Sequence, residues 1–142
     1  MGYQRVLVPV SGRYRMERAA RALEQALRIV QPDGEIGFLH CVEEMPQVIT
    51  ADAQGKRVTG DTREAEKLLT PLAERAKDAG IASSMHIVEG SPVTHIPRFA
   101  SEKEFHAVVM CTDGQNEPNK LAMGSLTARV FQYLRVPLLV VH

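Results

Sequence analysis

Five short apolar runs alternate with four helix-patterned segments along the 142 residues, and this alternation constrains the fold more than any other feature. Residues 5–10 (RVLVPV) form a nearly continuous apolar run, as expected of a strand buried on both faces. Met16, Ala19, Ala20, Leu23, Ala26, Leu27 and Val30 then recur at helical spacing, with Pro32-Asp33-Gly34 as the stop signal. Residues 35–42 (EIGFLHCV) are the second strand. Asp61 and Glu64 have the spacing of a capping box for a helix over residues 62–79, which Pro71 should kink. Residues 84–89 (SMHIVE) are the third strand. Pro92 suits the first turn of a helix reaching residue 103. Residues 107–112 are the fourth strand, 125–134 the last helix, and 137–142 (PLLVVH) the last strand.

Strands that alternate with helices imply a parallel sheet with right-handed crossovers and helices on both faces, an α/β architecture of three layers, α/β/α. The first and fourth strands are the most continuously apolar and belong at the centre, which gives the order 3-2-1-4-5. Ligands of such sheets bind at the carboxyl ends of strands, where the strand order reverses. The loops after Val10 and Thr112 should therefore share one crevice. Residues 43–60 have no periodicity and hold Pro46, Gly55 and Gly60; a loop of this length in a compact domain is usually functional or mobile. Neither repeats nor a composition shift divide the chain, so one domain over residues 1–142 is expected.

Lys plus Arg and Asp plus Glu number 17 each, so no global basic field points to nucleic acid. The apolar runs are strand-length, too short for a membrane span. The first residues lack a signal-peptide pattern. Two cysteines, Cys41 and Cys111, are too few for a disulfide scaffold, and a cytoplasmic setting is expected.

The chemistry concentrates in residues 108–127, VVMCTDGQNEPNKLAMGSLT. An apolar strand runs into a loop with Gly114 and ends at Gly124-Ser125, at the start of a helix. Amide groups at a helix N-terminus, a hydroxyl beside them and glycines that allow close approach suit phosphate. The same Gly-Ser pair also reads as an ordinary helix start with Ser125 as cap. One anion at a helix terminus gains about 0.3–1 kcal/mol, or up to about 2 when partly buried. A micromolar ligand needs about 8 kcal/mol, so a cradle needs further contacts. Glu117 and Pro118 in the intervening loop disfavour a polyphosphate, by like charge and by a missing donor.

The chain resembles the universal stress protein family over essentially its whole length. The resemblance rests on VLVPVSG at the first strand, FLHCVEE at the second, EGSP after the third, and VVMCTDG, MGSLTARV and VPLLVV at the end. It implies an adenine-nucleotide α-hydrolase-like fold. The family's nucleotide motif, G-x2-G-x9-G-[ST], is matched by Gly114 and by Gly124-Ser125; Cys111 stands at its first glycine. Ser11 stands where the family usually has Asp. The implied site draws on Pro9, Val10 and Ser11 after the first strand and on the Cys41 backbone at adenine. Met110 and Cys111 lie near the ribose half, and Gly114, Gly124, Ser125, Leu126 and Thr127 take the phosphates. The implied ligand is ATP or a related adenine nucleotide, with Mg²⁺ as a possible companion. The family also contains members that do not bind ATP, and loss of motif glycines goes with that branch.

Ser11 keeps one hydrogen bond but no charge, and losing a charge-assisted bond costs about 1.5–3 kcal/mol. Cys111 is tolerated if its φ is negative and excluded if φ is positive. A Cys41–Cys111 redox pair is disfavoured, because strands flanking a third lie about 9.5 Å apart, beyond the roughly 7 Å a disulfide spans. The five histidines, His40 among them, show no ligand spacing, and no nucleophile–base grouping is evident. The expected function is a stress-response regulator with an adenine-nucleotide pocket, a sensor rather than an efficient enzyme. The alternatives are a dimeric interaction module that binds no nucleotide, and a slow ATPase. The strand from Pro137 to His142 is apolar and belongs at a sheet edge, which invites pairing with another chain; the resemblance implies a homodimer built on it.

Overall fold

The computed structural model describes residues 2–10, 16–42, 50–51, 57–58, 60–111 and 125–142. In chain order the elements are β1 (Tyr3–Pro9), α1 (Met16–Ile29), β2 (Val30–Val42), β3 (Thr50–Ala51), β4 (Arg57–Val58), α2 (Gly60–Asp78), β5 (Ala82–Glu89), α3 (Pro92–Glu102), β6 (Ala107–Cys111), α4 (Ser125–Tyr133) and β7 (Leu138–Val141). Five strands form one sheet in the order β5-β2-β1-β6-β7, and every pair in it is parallel. This is the expected 3-2-1-4-5 order of the principal strands.

Alternation along the central strands builds two cores. Val6, Val8 and Val10 of the β1 segment join Ile36, Phe38 and Val109 beneath α1 and α2. Leu7, Leu39, Val108 and Met110 point to the other face and pack with Ile96, Ala100 and Val130 of α3 and α4. Val6, Leu7 and Val8 are all 0% exposed, so the centre of β1 is buried on both faces, while Tyr3 and Gln4 at its start are exposed. Each fully buried Val or Leu contributes about 1.5–3 kcal/mol.

Three boundaries differ from the sequence reading, each for a local reason. First, β2 begins at Val30 rather than Glu35. Its register with β1 passes from Tyr3↔Val30 to Arg5↔Glu35, so the Pro32-Asp33-Gly34 stretch is accommodated as a bulge. Two side chains hold that bulge to the neighbouring strand: Gln31 Nε2 donates to the Gly2 carbonyl at 2.8 Å and Gln4 Nε2 to the Asp33 carbonyl at 3.1 Å. Second, residues 43–60 are not wholly irregular, because β3 and β4 pair antiparallel through Thr50↔Val58 and Ala51↔Arg57. Third, α2 starts at Gly60. Asp61 thus falls within the helix rather than ahead of it as its cap. The helix continues through Pro71.

Polar contacts tie the sheet's amino end. Arg5 Nη1 donates to Glu35 Oε2 at 2.9 Å, and the Ser84 hydroxyl donates to Glu35 Oε1 at 2.6 Å. That hydroxyl has a single proton, so His86 Nε2, 2.8 Å away, is the donor in its own contact with Ser84. Burial lowers the His86 pKa from its ordinary value, opposed by the Glu35 charge. The Arg5 guanidinium lies 4.6 Å from the Phe105 ring centroid, a cation–π contact. Phe105 occupies the space above Gly37, where a Cβ would come within 2.5 Å of Phe105 Cζ. This packing explains the glycine in the second strand.

Gly90, at the carboxyl end of β5, has φ +132°, and an added Cβ would overlap the His95 imidazole. Its amide donates to the Val42 carbonyl at 2.8 Å, which joins β5 to the end of β2. Gly90→Ala is therefore expected to lower stability by about 1–3 kcal/mol. A urea midpoint equal to that of the parent protein contradicts this account.

Candidate functional site

The strand order reverses between β1 and β6, and there the sheet opens. Pairing of β1 with β6 comprises Val6↔Ala107 and Leu7↔Val108 and then stops. The outer ladders continue further: β1 pairs with β2 as far as Pro9↔Leu39, and β6 with β7 as far as Cys111↔Val141. The carboxyl ends of the two central strands are thus held from outside but not bonded to each other. A gap at this position is where α/β sheets receive ligands.

Val10 closes the β1 side of the gap. Its amide donates to the Leu39 carbonyl at 2.8 Å, and its carbonyl lies 2.8 Å from His40 Nδ1. A carbonyl can only accept, so His40 carries its proton on Nδ1 and presents Nε2 as an acceptor. His40 thus fixes the end of β1 to the end of β2. The sequence reading placed it among scattered histidines, since it has no motif spacing. Its position one residue past the last β1 partner on β2 could have flagged it.

Cys41 follows on β2 beyond its last β1 partner, Leu39, and pairs with Val88 of β5. Cys111 ends β6. Among non-glycine described residues only Glu104 has positive φ, so Cys111 takes an ordinary strand conformation. This answers the conformational question at the first motif glycine: the backbone accepts a side chain there.

The cysteines do not share one environment. Cys41 packs against the core beneath α3 and α4, and Cys111 against the core beneath α1 and α2. No disulfide joins them, and opposite faces of the sheet separate them. Burial pushes the Cys111 thiol above its ordinary pKa, partly offset by Arg18 and Arg21. A protonated thiol is a poor nucleophile.

At the β6 side, α4 starts at Ser125. The amides of Ser125, Leu126 and Thr127 are the first of the helix and lack intrahelical acceptors. The side chains behave differently from the amides. Thr127 is 1% exposed and Met110 is 4% exposed. The Thr127 hydroxyl therefore does not line an open phosphate site, and Met110 is likewise part of the core. Leu126 packs its side chain against the α3–α4 core. Pro9 and Val10 sit at the gap as expected. Ser11, Gly114 and Gly124, all predicted site residues, lie outside the described residues.

The open switch point and the fixed end of β1 define an α/β protein with a candidate ligand crevice between its central strands. The universal stress protein family model matches residues 2–142, and the chain belongs to that family. Universal stress protein MJ0531 of Methanocaldococcus jannaschii is 25% identical over 142 residues, covering 98% of this chain and 82% of the relative. Among solved structures, the hypothetical protein MJ0577 superposes with a TM-score of 0.75 at 20% identity, over 99% of this chain and 96% of that one. An Archaeoglobus fulgidus universal stress protein in complex with dAMP gives a TM-score of 0.72 at 18% identity, covering 100% of both chains. A universal stress protein in complex with cAMP gives 0.71 at 21% identity, over 100% of this chain and 98% of that one. No described helix is long and apolar enough to cross a membrane.

The raised Cys111 pKa leads to a direct expectation. In the folded protein near pH 8, Cys111 should be alkylated by iodoacetamide more slowly than a free cysteine, as followed by peptide mass spectrometry. Alkylation as fast as in the urea-unfolded chain contradicts the desolvated environment.

Proposed function

We propose that this chain is a stress-response regulator that binds an adenine nucleotide in the crevice between the carboxyl ends of β1 and β6. One observation carries the reading: β1 and β6 part after Leu7↔Val108 while each stays paired on its outer side. The Ser125–Thr127 amides then receive phosphate, and the ends of β1 and β2 receive the base and sugar. The complexes of similar proteins with dAMP and cAMP support an adenine ligand. We assign a sensing role in the cytoplasm rather than catalytic turnover, with ATP and Mg²⁺ among the ligands to be tested. Ser11 and Cys111 replace the residues expected on the ribose side. The affinity should therefore be modest, each lost charge-assisted bond costing about 1.5–3 kcal/mol.

A second observation favours a dimer. Among the described residues β7 is an edge strand paired only with β6, and Phe131 and Leu139, exposed by 58% and 38%, lie on the last two elements. Unpaired strand edges with apolar neighbours invite association, so a second copy pairs there. A dimeric module that binds no nucleotide remains the rival function, and slow ATP hydrolysis is a third.

The readings separate in one set of measurements. Nucleotide released on denaturing the purified protein, and calorimetric titration with AMP, cAMP and ATP with Mg²⁺, should show an adenine ligand. Binding should disappear in Gly124→Val and strengthen about tenfold in Ser11→Asp/Cys111→Gly. No binding at millimolar nucleotide, with a dimer intact in light scattering, establishes the interaction module instead. Phosphate release above buffer that is lost in Ser125→Ala establishes the ATPase.

A further inference from the structure

A second concavity lies away from the crevice, between α3 and α4. It holds about 530 Å³ and is lined by both helices and by Arg135 in the connection to β7. This volume is in the range of small-molecule sites. Pro97 is buried and Val93 half-buried, giving an apolar floor, while Arg98, Arg129 and Tyr133 stand exposed around it. No Asp or Glu lines it, although the chain as a whole has equal numbers of acidic and basic residues.

The three guanidiniums are not equivalent. Arg98 Nε donates to Glu102 Oε1 at 2.8 Å, one helical turn away. Arg129 and Arg135 have no carboxylate partner among the described residues. Two uncompensated cations therefore flank one groove. Arginine presents a planar fork that matches phosphate and carboxylate. Pro97 adds a further element, because it lacks an N–H and cannot donate the helical bond to the Val93 carbonyl. The Tyr133 ring offers a flat face beside the cations.

We propose that the α3–α4 groove is a second binding site, for a small amphipathic anion. Its ligand carries a phosphate or carboxylate held by Arg129 and Arg135, and a compact ring packed on Pro97, Val93 and Tyr133. The site is independent of the nucleotide crevice and does not rest on that assignment.

Phenyl phosphate, inorganic phosphate and phenol serve as probes of the whole ligand and its two halves. They are titrated at low salt against isotopically labelled protein, with amide shifts followed by NMR. Phenyl phosphate should bind with Kd below about 1 mM, moving the amides of Thr94, Ser101 and Arg129. Each half alone should bind at least about tenfold more weakly, and added salt should weaken phenyl phosphate. Arg129→Gln/Arg135→Gln, two exposed changes with no cost to the core, should weaken it by about tenfold or more. The proposal is overturned by the absence of shifts at about 10 mM phenyl phosphate, by equal binding of either half, or by unchanged affinity in the double variant. Shifts confined to Val10, Cys41 and Leu126 also overturn it, since they place the anion in the crevice.

Discussion

The structure depends on the double burial of β1. Val6 and Val8 fill one core and Leu7 the other, with none of the three exposed to solvent. A strand with no wet face must be flanked by strands and covered by helices on both sides, which forces the three-layer arrangement. Because β1 is central, the chain crosses it in opposite directions, toward β2 and β5 on one side and toward β6 and β7 on the other. The crevice is the geometric result of that reversal. Burial energy and candidate crevice therefore have a common origin in five consecutive apolar positions, Val6 to Val10.

The two ends of the sheet are built differently. At the amino end, Arg5, Glu35, Ser84 and His86 form a connected set of hydrogen bonds beside the stacked Phe99 and Phe105 rings. Polar groups there are mostly spent on one another. Arg5 Nε is the exception, buried without a hydrogen-bond partner, while the guanidinium lies against Phe105. At the carboxyl end, polar groups are held in position while ligand-facing capacity remains. His40 fixes Val10 and keeps an acceptor nitrogen, and α4 begins with amides that have no acceptor in the helix. A rigid closed end and an open functional end suit a domain whose site sits on a fixed scaffold.

The sheet order, the helices and the central strands were legible in the sequence because hydrophobic periodicity records burial directly. The strand over residues 35–42 was legible for the same reason. The earlier start of β2 was not, since a bulge at Pro32-Asp33-Gly34 looks like a terminator until Gln4 and Gln31 are seen to bond across it. The hairpin of β3 and β4 was hidden because its strands are two residues each, too short for a period. At the candidate site, motif spacing pointed to Cys111, Ser125, Leu126 and Thr127. It could not tell backbone from side chain, and Thr127 and Met110 prove to be buried. Nor could spacing show that Cys41 and Cys111 face opposite cores, because that follows from strand phase relative to the sheet. His40 escaped notice because its role is a bond to a carbonyl that is distant in sequence.

The central claim is that a ligand enters where β1 and β6 part. Amide shift mapping with AMP on labelled protein tests it most directly. The account predicts saturable shifts at Val10, Cys41, Cys111 and Leu126, with Arg5, Glu35 and Ser84 at the opposite end unmoved. Saturable shifts at the amino end, or none at the four crevice positions while AMP binds by calorimetry, would contradict it.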